Sequence, residues 1–83
     1  MPARSSNTGV EPDIGTIRNE IRRLRFEHGE MTQQELAEKI KVTRQTVNAI
    51  EQGKYSPSLE AAFRISAVFG KPLESVFHYS QDE

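Results

Sequence analysis

The chain has 83 residues, 35% hydrophobic and 28% charged, a mixture that supports one small folded domain and argues against a disordered chain. It holds no cysteine, no run of 18 apolar residues and no apolar stretch at Met1-Pro2-Ala3-Arg4-Ser5-Ser6, which excludes disulfides, thiolate zinc, a membrane span and a signal peptide, so a cytoplasmic location is expected. The formal charge of −1 and a pI near 6.1 give, by themselves, no support to nucleic-acid binding.

Residues 1–13 carry Ser5-Ser6-Asn7-Thr8-Gly9 and two prolines, too little apolar surface to offset ordering entropy, and read as a flexible arm. Residues 14–79 read as the folded domain and residues 80–83 as a tail. Ile14, Ile17, Ile21 and Leu24 fall three and four apart, the stripe of one helix face, and that first helix is expected to end near His28-Gly29. Thr32-Gln33-Gln34-Glu35 reads as a capping box opening a second helix with Leu36, Ala37 and Ile40 inward. Thr43 is a fresh N-cap for a third helix, with Val47 and Ile50 inward and a stop at Gln52-Gly53. Pro57 leads into a fourth helix whose inner face is Leu59, Ala62, Ile65, Ser66 and Phe69, closed by Gly70. A fifth, about Leu73 to Phe77, follows Pro72. No strand-like alternation competes with these patterns, so the expected fold is all-α, five helices in one domain.

The informative piece is the pair of short helices at about residues 33–39 and 44–52, three or four residues apart. Helices joined so tightly cross steeply in a helix-turn-helix, and the outer face of the second then fits a DNA major groove. Any small helical bundle with a tight turn would show the same apolar pattern. The outward residues are more specific: Arg44, Gln45, Asn48 and Thr46. Arginine suits the paired acceptors of guanine, and glutamine or asparagine suits the acceptor and donor of adenine. Glu51 is the only acidic residue of this third helix, and it is placed inward.

The segment Met31–Glu60, MTQQELAEKIKVTRQTVNAIEQGKYSPSLE, resembles the lambda-repressor-like helix-turn-helix family, of Cro-like, Xre type. TQQELA, TRQT and IEQGKYSPSL stand together at the family's spacing, the resemblance extends over about residues 21–79, and it is strongest to small single-domain bacterial and phage regulators. It implies a compact five-helix DNA-binding domain and a set of roles. Arg44 and Gln45 match base-reading positions, with Thr46 and Asn48 as further groove-facing or phosphate contacts. Gln33 matches a glutamine that touches the DNA backbone, at a helix N-terminus whose free amides favour phosphate. Thr32 and Thr43 match further backbone contacts, although capping alone accounts for both. Lys54 and Tyr55 fall in a loop that grips phosphates; a helix-end cation and a tyrosine covering the core are the plainer roles. Glu51 matches a glutamate that pairs with an arginine of the first helix, here Arg25, and the pair is expected to be structural; breaking a desolvated pair costs about 3–5 kcal/mol.

Two departures from the family pattern stand out. Lys41 occupies a turn position where relatives often have glycine, and a left-handed lysine costs on the order of 1 kcal/mol. Gly29-Glu30-Met31 makes the link between first and second helices about one residue longer than usual.

His28 and His78 lie far apart and no nucleophile, base and orienting acid are arranged together, so no metal, no cofactor and no enzyme activity are expected. The charge divides unevenly: residues 14–55 hold eight Lys/Arg against six Asp/Glu, residues 56–83 two against four. Such a modest field places the weight of specific binding on base contacts and on pairing of two subunits. The expected function is a transcriptional regulator, a repressor, with no room for a sensor domain. Its expected partners are double-stranded DNA and a second copy, as a homodimer on a pseudo-palindrome with half-sites about 34–36 Å apart. Phe63, Val68, Phe77 and Tyr79 are candidates for the self-contact. The alternative is an antitoxin-like or accessory module whose partner is a protein, a toxin or co-regulator.

Overall fold

Five short helices and one two-stranded antiparallel ribbon make up residues 16–80, the part of the chain that this computed structural model describes. In chain order these are β1 (Thr16–Asn19), α1 (Ile21–Glu27), α2 (Gln33–Ile40), α3 (Arg44–Glu51), α4 (Leu59–Phe69), α5 (Leu73–Val76) and β2 (Phe77–Ser80). The arm at residues 1–13, with Ile14 of the first stripe, lies outside the described residues.

The mostly helical, five-helix expectation is met, and a short two-stranded ribbon is added to it. Thr16 and Ile17 are strand residues, and α1 begins only at Ile21. β1 pairs with β2 in the register Thr16↔Ser80, Ile17↔Tyr79, Arg18↔His78 and Asn19↔Phe77. β-Branched residues on one strand and aromatics on the other favour this pairing, and Ile17 faces Tyr79 as a cross-strand pair. Asn19 then turns the chain into α1: its Oδ1 accepts from the Ile21 N–H at 3.1 Å and its Nδ2 donates to the Ile50 carbonyl at 2.9 Å. The Glu20 N–H donates to the Val76 carbonyl at 2.9 Å, so the start of α1 is tied to the end of α5. α5 accordingly stops at Val76, and Phe77 belongs to β2.

Helix starts follow the capping chemistry. Thr32 accepts from the Glu35 N–H at 3.0 Å while the Glu35 carboxylate takes the Thr32 N–H at 2.9 Å, the reciprocal box. Thr43 caps α3 by accepting from the Thr46 N–H at 3.1 Å, and Ser58 caps α4 through the Ala61 N–H at 3.1 Å. Between α2 and α3, Lys41 adopts φ 65°, ψ 44°, the left-handed conformation that glycine would hold without strain. The longer link after α1 is accommodated by two consecutive positive-φ residues, Gly29 (74°) and Glu30 (57°). The Met31 N–H then returns to the Arg25 carbonyl at 2.9 Å.

The apolar sides meet in one core of Ile21, Leu24, Leu36, Ala37, Ile40, Val47, Ile50, Ile65, Phe69 and Val76. Burying such aliphatic side chains stabilises by about 1.5–3 kcal/mol each. Leu59 departs from the expected inner face of α4 and is 69% exposed. At the far end of α2, Arg64 of α4 donates to the Ile40 carbonyl at 3.3 Å and to Glu60 at 2.6 Å, holding the turn that leads to α3.

Candidate nucleic-acid interface

α2 and α3 are separated by three residues and packed through Leu36, Ala37 and Ile40 on one side and Val47 and Ile50 on the other. Burial of Val47 and Ile50 fixes which way α3 is rolled, and the 3.6-residue repeat then turns Arg44, Gln45 and Asn48 away from the core. Arg44 and Gln45 are exposed, in the first turn, and neither side chain has a hydrogen-bond partner among the described residues. Thr46 and Asn48 are half-buried and engaged. The Thr46 and Thr43 hydroxyls lie 3.0 Å apart in a local hydrogen bond. Asn48 Oδ1 accepts from Gln33 Nε2 at 3.2 Å and from Gln52 Nε2 at 3.3 Å.

Glu51 faces inward, as its place on α3 implies. Its carboxylate takes a two-pronged pair from Arg25 of α1, Nε to Oε2 at 2.5 Å and Nη2 to Oε1 at 3.1 Å. The side chains are 15% and 7% exposed, and Arg25 Nη1 also donates to the Met31 carbonyl at 2.7 Å. A planar guanidinium satisfied on three nitrogens suits a largely desolvated site. This pair joins α1, the loop before α2, and α3, so the pitch of α3 is fixed from behind.

Gln33 occupies the first position of α2, and its side chain reaches across to α3. Its Nε2 donates to Glu51 Oε1 at 3.1 Å as well as to Asn48, so both amide hydrogens are committed within the protein. What remains for a phosphate at this position is the backbone N–H at the helix start. The Thr32 and Thr43 side chains cap their helices and both residues are exposed at the two helix N-termini. Lys54 and Tyr55 are exposed in the loop after α3, and Tyr55, at 55% exposure, does not cover the core.

No local pattern signals the contact between Gln33 and Asn48, because it depends on how α2 crosses α3 and joins residues 15 apart in the chain. The remaining charged pairs lie elsewhere. Arg23 bonds Glu20 at 3.1 Å and Glu27 at 3.0 Å, and its guanidinium holds the Glu20 carboxyl below the usual carboxylate range. His78 Nε2 lies 3.2 Å from the same carboxylate. His28 sits edge-on to Phe69 with ring centroids 5.1 Å apart. Among the described residues no three His, Cys, Asp or Glu side chains group as metal ligands, and no helix is long and apolar enough to cross a membrane.

With this geometry in place, a helix-turn-helix family model, HTH_3, matches residues 21–76, from the first residue of α1 to the last of α5. An uncharacterised HTH-type transcriptional regulator of Methanocaldococcus jannaschii is 46% identical over 67 residues, which covers 81% of this chain and all of the relative. Proteins described in the same words come from Methanothermobacter thermautotrophicus, 48% identical over 80% of this chain and 96% of the relative, and from Bacillus subtilis, 41% identical over 80% and 98%. The relatives thus include archaeal proteins as well as a bacterial one. The chain belongs to the Xre-like helix-turn-helix family of DNA-binding transcriptional regulators.

Proposed function

We propose that this regulator reads specific DNA sequence with α3 in the major groove, and that it represses by occupying its operator. The observation that carries the reading is the pair Arg44 and Gln45: exposed, in the first turn of α3, and without partners among the described residues. An unpartnered arginine and glutamine at that position can meet base edges at no cost in internal hydrogen bonds. Thr32, Thr43, the backbone at Gln33, Lys54 and Tyr55 flank them as backbone contacts. Helix N-termini at Gln33 and Arg44 supply oriented N–H donors for phosphates.

One small domain reads only a short half-site, so the proposal includes a homodimer with half-sites about one helical turn, 34–36 Å, apart. The surface that supports self-association is apolar. Ile17 (43% exposed), Leu59 (69%) and Tyr79 (60%) stand on it, and Pro57, Leu73 and Phe77 line shallow grooves between them. Of the candidates named from the pattern, Phe63 (54%) and Tyr79 are exposed, whereas Val68 and Phe77 pack partly against the core.

Selection of bound duplexes from random DNA tests the reading. Enrichment of an inverted repeat is the expected result, and recovery of no preferred sequence would overturn it. Sedimentation at micromolar concentration tests the pairing: a monomer both free and on DNA removes the homodimer.

A further inference from the structure

We propose that Gln33 is a positioning residue that locks the Asn48 side-chain amide with its nitrogen outward, making Asn48 a donor-only reader of base acceptors. The chain of reasoning starts at the buried ion pair. A carboxylate held by a guanidinium accepts hydrogen bonds and donates none, so the Gln33 amide that meets Glu51 Oε1 at 3.1 Å must present nitrogen. That nitrogen has a second hydrogen, and it points to Asn48 at 3.2 Å. Asn48 must therefore present its oxygen there, since two amide nitrogens facing each other would leave both donors unpaired. Gln52 Nε2 reaches the same Asn48 oxygen at 3.3 Å and adds to the preference.

The consequence falls on the outward side of Asn48. Its oxygen already holds two N–H groups, and its Nδ2 has no acceptor among the described residues. Bidentate recognition of adenine needs an acceptor and a donor from the same amide, and here the acceptor is taken. The partner chemistry that fits best is guanine, whose O6 and N7 are adjacent acceptors, whereas an A·T pair sets the adenine N6 donor between its acceptors N7 and O4. Asn48 thus differs from Gln45, whose amide is free to turn either way.

This inference rests on the DNA-reading assignment above, and the experiment separates the two. The wild type, Asn48→Ala and Gln33→Met are each put through selection from random duplex DNA, and each variant's melting curve is recorded. Gln33→Met keeps the length of the side chain and removes its donors. The expected result is that Asn48→Ala and Gln33→Met both relax preference at one and the same base pair, by about tenfold, and leave the pairs read by Arg44 unchanged. An A·T pair selected at the Asn48 position, in either orientation, overturns the inference. So does Gln33→Met with wild-type preference at that pair, or a loss spread evenly over all positions, which a merely structural or phosphate-contacting role would give. A wild type that selects no sequence removes the DNA-reading assignment and this inference with it. A second measurement stands on the free protein, whatever the variants do. In its nitrogen–proton spectrum both Gln33 side-chain amide protons should exchange slowly with water and those of Asn48 rapidly; the opposite order overturns the proposal.

Discussion

Glu51 and Gln45 lie six residues apart on one helix, yet their substitution should have opposite consequences. Glu51→Ala leaves Arg25 as a mostly buried, unpaired charge and removes the acceptor of Gln33, at a cost of about 3–5 kcal/mol. For a domain of this size that is a fall in Tm of tens of degrees, at about 4–8 °C per kcal/mol. Gln45→Ala removes an exposed side chain with no partner among the described residues and should shift Tm by no more than a few degrees. Thermal unfolding of the two variants checks this, and equal effects would contradict the structural role of the pair. Ser66 is the reverse case. Its hydroxyl is buried without a hydrogen-bond partner among the described residues, so Ser66→Ala should leave stability unchanged or raise it by about 1 kcal/mol in denaturant titration. One helical wheel turns Arg44 and Gln45 outward and Glu51 inward, while the pairing of Glu51 with Arg25 of α1 was an expectation from the family resemblance. The engagement of Asn48 was not legible in the sequence, because it is set by a residue of another helix.

Elements were legible where a local signal marks their ends. Thr32, Thr43 and Gly70 place the starts of α2 and α3 and the end of α4, and each is used as its chemistry demands. α1 starts later than its apolar spacing predicts, and the reason is physical. Ile14, Ile17, Ile21 and Leu24 keep helical spacing, but a strand of four residues shows too little alternation to compete, and its partner β2 lies some sixty residues away in the chain. Long-range pairing of β1 and β2 overrides the local pattern. The turn between α2 and α3 carries a measurable strain: Lys41→Gly should stabilise by about 0.5–1 kcal/mol, the left-handed penalty less the extra freedom glycine gains when unfolded. A destabilised variant would show that the Lys41 side chain contributes more than its backbone costs. At the other end of the domain the Glu20 carboxyl, held low by Arg23 and close to His78, joins α1 to the ribbon. Its folded pKa lies below its unfolded one, so its contribution is present above the unfolded value and is lost as pH falls through the folded one. The stability difference between the wild type and Glu20→Gln should therefore shrink toward acid pH.

For the whole molecule, the net charge of −1 no longer argues against DNA once it is divided along the chain. Residues 14–55, which contain the helix-turn-helix, are positive by two, residues 56–83 are negative by two and residues 1–13 negative by one. Such a field gives weak sequence-independent binding, and a small number of phosphate contacts should make affinity fall less steeply with salt than for strongly basic DNA-binding proteins. On the proposed reading discrimination then depends on few side chains, chief among them Arg44 and Gln45 in the first turn of α3, exposed and without hydrogen-bond partners among the described residues. The most direct measurement is base-resolved competition on the selected operator, comparing the wild type with Arg44→Ala and Gln45→Ala. The account predicts that each variant relaxes preference at one base pair of the half-site and weakens binding by about 1–3 kcal/mol. Uniform weakening at every position, with sequence preference intact, would show that these side chains touch only the backbone and would contradict the account.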